Sequence, residues 1–330
     1  MLINCYYYAP QAHSLLHEHL AADIRHIASL GADAVSFCVQ ESQLSNWHQQ
    51  RIRNVIDCIH DHGMEAHAVP NRWAGLFAGW LDGYGEFTVK NPDTLVRSEE
   101  GLPLPGNEAV SCVHHPKVGP FLRERLAELL GKYDFDGIVW DEPHIMNCFC
   151  EHCVALREDS KFGFAIRSFA RFVDGLSAHA KALKPGLTVS LFLQPFQQDM
   201  IHPFLDQPHL DYLGSDGHVR RPDYQMHRMK GTIFEVHEKL HPILRAAGRK
   251  SLFLLEAQRH RDEDLGHYLE QIDAAFSLPA DQLMWYYSAH EMSPENERIF
   301  NEATWAAVRR VAATRDQSSA ASGSPSDISP

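Results

Sequence analysis

A short apolar segment followed by an amphipathic helix recurs along this chain, and that repeat leaves it few folds to choose from. Leu2 to Tyr8 reads as a strand, and His13 to Leu30 follows with Leu15, Leu16, Leu20, Ile24, Ile27 and Leu30 at helical spacing until Gly31 ends the run. Ala32 to Val39 and Trp47 to His62 repeat the unit, and Glu65 to Val69 opens a third. A long stretch rich in Gly, Pro and aromatic residues, Ala74 to Pro116, reads as an elaborated loop, and such loops are usually functional. A helix over Lys117 to Leu130 then leads into the strand Ile138 to Trp140, and a helix over Phe162 to Leu183 into Leu187 to Leu193. The remaining strands are His209 to Leu213, Ser251 to Leu255 and Gln282 to Ser288, with helices over Thr232 to Ala247, Leu265 to Ser277 and Glu295 to Ala313. Strands joined by helical crossovers pair in parallel, so eight such units predict one (β/α)8 barrel over residues 1–315. No Gly-rich dinucleotide loop follows the first strand, which disfavours an open doubly wound sheet. From Asp316 the run DQSSAASGSPSDISP reads as a disordered tail, residues 316–330.

Composition narrows the partners. The 330 residues are 44% hydrophobic, enough for a large core, and carry a formal net charge of -13. That charge argues against nucleic acid or an anionic membrane and favours a neutral ligand such as a sugar. No run of about 18 uncharged apolar residues occurs, so the sequence reads as a cytoplasmic protein. Seven cysteines, three of them within six residues, make a poor disulfide framework and a good set of reduced thiols. Cys5, Cys38 and Cys58 lie in apolar stretches and read as buried thiols.

A barrel brings the carboxyl ends of all its strands to one mouth. By position alone, the residues facing it are Tyr8, Glu41, Asn71, Arg72, Asp141, Glu142, Gln194, Asp216, His218, Glu256, Trp285 and His290. The fourth strand is the most informative: it ends on adjacent carboxylates, Asp141 and Glu142, and Cys148, Cys150 and Cys153 follow at metal-ligand spacing. Glu256 ends the seventh strand, across the mouth from Glu142. Two such carboxylates about 5 Å apart support retaining glycoside hydrolysis, and about 6.5–9.5 Å supports inversion. Trp73, Trp80, Trp285, Tyr286 and Tyr287 are placed either to stack on sugar faces or to pack the rim. His114, His115, His144, His218 and His290 lie on loops over the mouth.

The glutamates ending strands four and seven resemble those of the retaining glycosidase clan with (β/α)8 barrels, and the cysteine spacing is most similar to the family 42 β-galactosidases. The resemblance implies Glu142 as acid/base and Glu256 as nucleophile. It also implies that Cys112, in the loop before the fourth strand, joins Cys148, Cys150 and Cys153 as a closed, structural zinc site. Asp141 stands where that family has Asn, and the resemblance covers the barrel alone. The sequence thus predicts a glycoside hydrolase of the retaining kind, its chemistry assigned to the two glutamates, acting on a β-galactoside-like or related sugar, and the family resemblance favours a homo-oligomer. Asp141, Asn71, Arg72, Asp216, His218, Trp285, Tyr287 and His290 form the expected substrate-binding set. Two alternatives stay open: a glycosidase with Asp141 as nucleophile and Asp216 as acid, and a non-catalytic carbohydrate-binding barrel. A metal-dependent hydrolase is disfavoured, because no His-x-His marks the first strand.

Overall fold

The computed structural model describes residues 1–7, 17–45, 49–78, 85–104, 109–157, 161–219, 232–257, 260–287 and 292–322. Eight strands, β1 (Leu2–Tyr6), β2 (Ala34–Gln40), β3 (Glu65–Asn71), β4 (Gly137–Asp141), β5 (Thr188–Leu193), β6 (Tyr212–His218), β7 (Lys250–Glu256) and β8 (Gln282–Tyr286), form one closed barrel in chain order. Every pair is parallel, and β8 closes on β1 from Leu2↔Gln282 to Tyr6↔Tyr286. The longer helices outside it are α1 (His17–Ser29), α2 (Gln49–His60), α3 (Val118–Lys132), α4 (Lys161–Leu183), α5 (Ile233–Ala246), α6 (Leu265–Phe276) and α7 (Pro294–Ser322). Their apolar stripes, such as Leu20, Ile24 and Ile27 of α1, bury against outward strand residues such as Val35, Phe37 and Val39. No helix among the described residues is long and apolar enough to cross a membrane.

Alternation along each strand sends every second residue into the barrel. Near the amino ends of the strands that interior is polar and cross-linked by side-chain hydrogen bonds between strands. Ser36 Oγ donates to Asn4 Oδ1 at 3.0 Å, the Asn4 amide lies 3.3 Å from His67 Nδ1, and Ser190 Oγ donates to Gln282 Oε1 at 2.9 Å. The His67 ring occupies the space that Gly137 leaves, since a Cβ there would fall 2.6 Å from the ring. These contacts fix which residues share the inward parity: Asn4 and Tyr6 on β1, Asn71 on β3, Asp141 on β4, and Gln282 and Tyr286 on β8.

Several boundaries differ from the sequence reading. The sixth strand begins at Tyr212 rather than His209, so Asp216 and His218 are strand residues and not loop residues beyond it. His209 is held outside by Asp174, which accepts from its backbone N–H at 3.0 Å. The first strand stops at Tyr6, and Tyr8 lies outside the described residues. The helix expected over Trp47 to His62 is described as Glu41–Ser45 and Gln49–His60. The last helix runs to Ser322, past the expected tail boundary at Asp316, and residues 323–330 lie outside the described set. The long third loop is partly ordered by a short helix, Glu86–Lys90, and by antiparallel bridges Leu95↔Ser111 and Arg97↔Pro103.

Gly214 shows how closely β6 and β7 approach: a Cβ there would sit 1.6 Å from the Leu252 carbonyl oxygen, which only backbone movement relieves. Gly214→Ala is therefore expected to lower the free energy of unfolding by about 3 kcal/mol or more, measured by urea denaturation.

Candidate active site

In an extended strand, consecutive side chains point to opposite faces, so Asp141 and Glu142 cannot both face the mouth while β4 continues. The strand ends at Asp141, and Glu142 takes a left-handed φ of 37°. The turn brings both carboxylates to the same opening. The Glu142 N–H still donates to the Phe192 carbonyl at 3.1 Å, so the turn is anchored to β5. Left-handed geometry is costly for a side chain of this size and concentrates at functional sites.

Four carboxyl groups meet there. Asp141, Asp216 and Glu256 are buried, and Glu142 is half-buried. Burial, followed by the charge of Glu142, pushes the Asp141 carboxyl up to about 8; the hydroxyl of Tyr6, which donates to Asp141 Oδ2, and the charge of Arg72 oppose that rise. Asp216 is pushed well above the ordinary carboxylate range by burial, then by the charges of Glu142 and Glu256 and by its hydrogen bond with Glu142. A hydrogen bond between two carboxyl groups requires one proton, and these directions put it on Asp216. Gln194 Nε2 donates to Glu142 Oε2 at 2.6 Å. His218 Nδ1 stands 3.9 Å from Glu256 Oε2. The mouth thus contains two carboxyls that favour the neutral form, beside Glu142 and Glu256.

At the end of β3, Asn71 is 1% exposed, and among the described residues neither its amide oxygen nor its amide nitrogen has a hydrogen-bond partner. Arg72 follows in a left-handed conformation, φ 57°, buried and within range of Asp141. The structure therefore gathers Asn71, Arg72, Asp141, Glu142, Gln194, Asp216, His218 and Glu256 at one opening. It does not bring all the expected residues there. Trp285 is fully buried and has the outward parity of β8, opposite to Gln282 and Tyr286, so it packs the barrel wall. Tyr287 donates to Asp23 Oδ1 of α1 at 3.0 Å and stacks on Trp305 of α7, which holds it in the helical layer. Trp73 is buried with its indole N–H donating to the Val39 carbonyl at 2.9 Å. Glu41 anchors a loop: its carboxylate accepts from the backbone N–H of Ala74 at 2.5 Å and of Phe87 at 2.8 Å. His290 and Trp80 lie outside the described residues.

Tyr6 is the site residue that the sequence reading passed over. Three consecutive tyrosines, Tyr6, Tyr7 and Tyr8, gave no sign of where β1 ends. Parity with Asn4 was the available signal, and it needs the barrel contacts of Asn4 to be read.

Beside the mouth, Cys112, Cys148, Cys150 and Cys153 are buried with all four sulfurs within 4.8 Å of one another. Cys112 Sγ is 3.3 Å from Cys153 Sγ and 3.6 Å from Cys150 Sγ. Hydrogen bonds with Cys112 and Cys153 hold the Cys148 thiol far below its ordinary range, while hydrogen bonds with Cys112 and Cys148 drive Cys153 upward. A tetrahedral zinc with Zn–S of about 2.3 Å places its sulfurs about 3.8 Å apart, so this donor set fits a closed four-thiolate metal site. Cys112 is brought in by the bridge at Ser111 and by its own N–H donating to the Thr94 carbonyl at 2.7 Å.

No family model matches the chain, and no curated protein matches it. Solved structures do. The β-galactosidase of the psychrophilic Marinomonas ef1 aligns with a TM-score of 0.66 at 12% identity, over 98% of this chain and 61% of its own. The shared feature is the fold. The β-galactosidase of Rahnella sp. R3 aligns with a TM-score of 0.63 at 13% identity, over 99% of this chain and 57% of its own. The endo-β-1,4-mannanase of Thermotoga petrophila aligns with a TM-score of 0.59 at 9% identity, over 100% of this chain and 78% of its own. The chain spans about three fifths of the length of the two β-galactosidases.

The raised Asp141 pKa has a consequence for stability. A carboxyl whose folded pKa exceeds its unfolded value stabilises the fold at low pH and loses that contribution as pH climbs. The window runs from the ordinary Asp value of about 3.9 to about 8. Wild type is expected to lose more stability across that window than Asp141→Asn, which stays neutral, as read from urea midpoints at successive pH values. Tyr6→Phe removes a hydrogen bond that favours the ionised form, and is expected to move the Asp141 titration still higher, measured by carboxyl-carbon NMR.

Proposed function

We propose that this chain is a glycoside hydrolase that cleaves its substrate by a two-step displacement with retention. The observation that carries the reading is the convergence of Glu142 and Glu256 on one barrel mouth beside two carboxyls that hold protons. In the proposed reaction Glu256 attacks the anomeric carbon while Glu142 protonates the leaving oxygen. Glu142 then takes a proton from the water that releases the sugar. Gln194 and Asp216 orient Glu142, and its half-exposed position lets it reach both leaving group and water. His218 lies beside Glu256 as an orienting or sugar-contacting group.

The state of Asp141 bears on the alternative mechanism. A nucleophilic carboxylate must be ionised, and Asp141 holds its proton up to about pH 8, which weighs against it as nucleophile. Protonated, it offers an O–H donor where the family 42 β-galactosidases carry the amide of Asn. The substitution thus retains a hydrogen-bond donor at this position, able to hold a sugar hydroxyl. The structurally similar proteins include β-galactosidases, a β-1,4-mannanase and α-galactosidases, which supports a hexoside as substrate; the β configuration rests on the resemblance to the family 42 β-galactosidases. Asn71, Arg72 and Asp216 are the proposed contacts to its hydroxyls.

The four thiolates are proposed to bind zinc. Four sulfur ligands leave no open position, so the ion would staple the third loop to the loop after β4 rather than activate water. Reduced thiols fit a reducing compartment such as the cytoplasm.

Hydrolysis of aryl α- and β-glycosides by wild type, Glu142→Gln and Glu256→Gln tests the reading. One β-hexoside should be turned over, with losses of about 10²–10⁴-fold in the Glu142 variant and near-complete loss in the Glu256 variant. Azide should rescue Glu256→Ala with inverted product. Sugar binding without turnover would instead support a carbohydrate-binding barrel. Elemental analysis should find one zinc per chain, lost in Cys148→Ser together with part of the thermal stability.

A further inference from the structure

The mouth holds more acid than the reaction proposed for it uses. Glu142 and Glu256 suffice for a two-step displacement, yet Asp141 and Asp216 stand with them, 4% and 1% exposed. Protein donors are already committed to the carboxyls: Tyr6 donates to Asp141 Oδ2, and Gln194 donates to Glu142 Oε2. Asp216 Oδ1 is left without a hydrogen-bond partner among the described residues. Two cationic or ionisable groups face the cluster, Arg72, whose charge acts on Asp141, and His218, 3.9 Å from Glu256. Four carboxyls outnumber them. The opening therefore offers acceptors and an excess of negative charge, and the ligand that complements it brings N–H donors and a positive charge.

Position decides where on a sugar that charge sits. Asp141 precedes Glu142 in the chain, and the charges of both Glu142 and Glu256 act on it. It thus lies beside the carbon at which the two glutamates are proposed to act. In an aldohexose ring the anomeric carbon is bonded to the ring oxygen on one side and to C2 on the other, and only C2 carries a substituent. Asp141 therefore addresses the 2-position. The groups that face its carboxyl are Tyr6 on β1, Cys38 on β2, Arg72 after β3, Glu142 after β4, Asp216 on β6 and Glu256 on β7. A hydroxyl at C2 leaves the excess negative charge as it is. An ammonium there donates to Asp141 and adds a cation where acid predominates, with Asp216 Oδ1 an open acceptor in the same mouth.

Resting on the glycosidase reading above, we propose that the substrate is a 2-amino-2-deoxy hexoside, bound through its ammonium group to the Asp141 carboxylate. Charge and protons balance: the ammonium keeps its proton, Asp141 gives up the one it holds in the free protein, and that proton passes to solvent. Asp141 is then a specificity determinant. The Asn of the family 42 β-galactosidases can accept from an ammonium but cannot pair its charge.

The test uses the full chain and compares aryl 2-amino-2-deoxy hexosides with their 2-hydroxy and 2-acetamido counterparts, in the gluco and galacto series and in both anomeric forms. The best 2-amino substrate should exceed its 2-hydroxy counterpart about 10²-fold in kcat/KM, the loss expected when one partner of a buried charge pair is removed. Asp141→Asn should erase that preference, with circular dichroism checking its fold. Calorimetric titration of wild type with free glucosamine and galactosamine at about pH 6, below the Asp141 value of about 8, should release close to one proton per sugar bound, read from the dependence of the heat on buffer ionisation enthalpy. Glucose and galactose should release none. This measurement needs no variant to fold. Preference for the 2-hydroxy or 2-acetamido substrate, an amine preference that survives in folded Asp141→Asn, or amino-sugar binding without proton release overturns the proposal and leaves the glycosidase reading intact. Amine-selective binding without turnover keeps the 2-amino specificity and overturns hydrolysis. Neither turnover nor binding of any of these sugars overturns both.

Discussion

Gathering four carboxyl groups at one opening, three of them buried and Glu142 half-buried, is the constraint on which this site depends. An ionised carboxylate in a dry surrounding is costly, and each further charge raises the cost of the next. Burial and neighbouring charges push both Asp141 and Asp216 toward the neutral form. Tyr6 and Arg72 offset part of the penalty at Asp141, and Glu142 accepts from Gln194 and shares the proton of Asp216. The same arrangement sorts four chemically similar groups into two kinds. Two hold protons and position their neighbours, leaving Glu142 and Glu256 as the pair proposed to do chemistry.

That sorting needs a rigid frame. The closed barrel leaves no free edge, and its lower interior is filled by a hydrogen-bonded polar belt of Asn4, Ser36, His67, Ser190 and Gln282. Close approaches at Gly137 and Gly214 set the positions of β4 and β6, which deliver Asp141 and Asp216. Above the barrel, Glu41 ties β2 to the third loop through backbone N–H groups, and the cysteine cluster ties that loop to the segment after β4. Both ties act on the turn that carries Asn71 and Arg72. The loop is long, but it is held at both sides of the mouth.

Much of this was legible in the chain. Helical spacing in α1 and α4 and the short apolar runs between helices gave eight βα units, because burying one stripe or one strand leaves a periodic trace in sequence. The strand-end pair Asp141–Glu142 and the cysteine spacing stood out for the same local reason. Where the trace failed, the cause was non-local. Residues Tyr212 to His218 contain two glycines and little apolar character, yet they form a full strand because β5 and β7 flank them on both sides. Trp285 and Tyr287 looked like rim aromatics, but strand parity and contacts with α1 and α7 turned them into packing residues. Tyr6 was hidden in a run of three tyrosines until its parity could be read from Asn4.

The sequence by itself determined the class of the fold, the carboxylates and thiols available for chemistry, and the order in which they arrive at the mouth, since all of these follow from periodicity and spacing within single segments. Only the tertiary structure decided which carboxyls are pushed toward the neutral form, which aromatic residues face the mouth, and that the Asn71 amide is buried. Those properties depend on burial and on charges from strands far apart in the chain, and no local pattern records either.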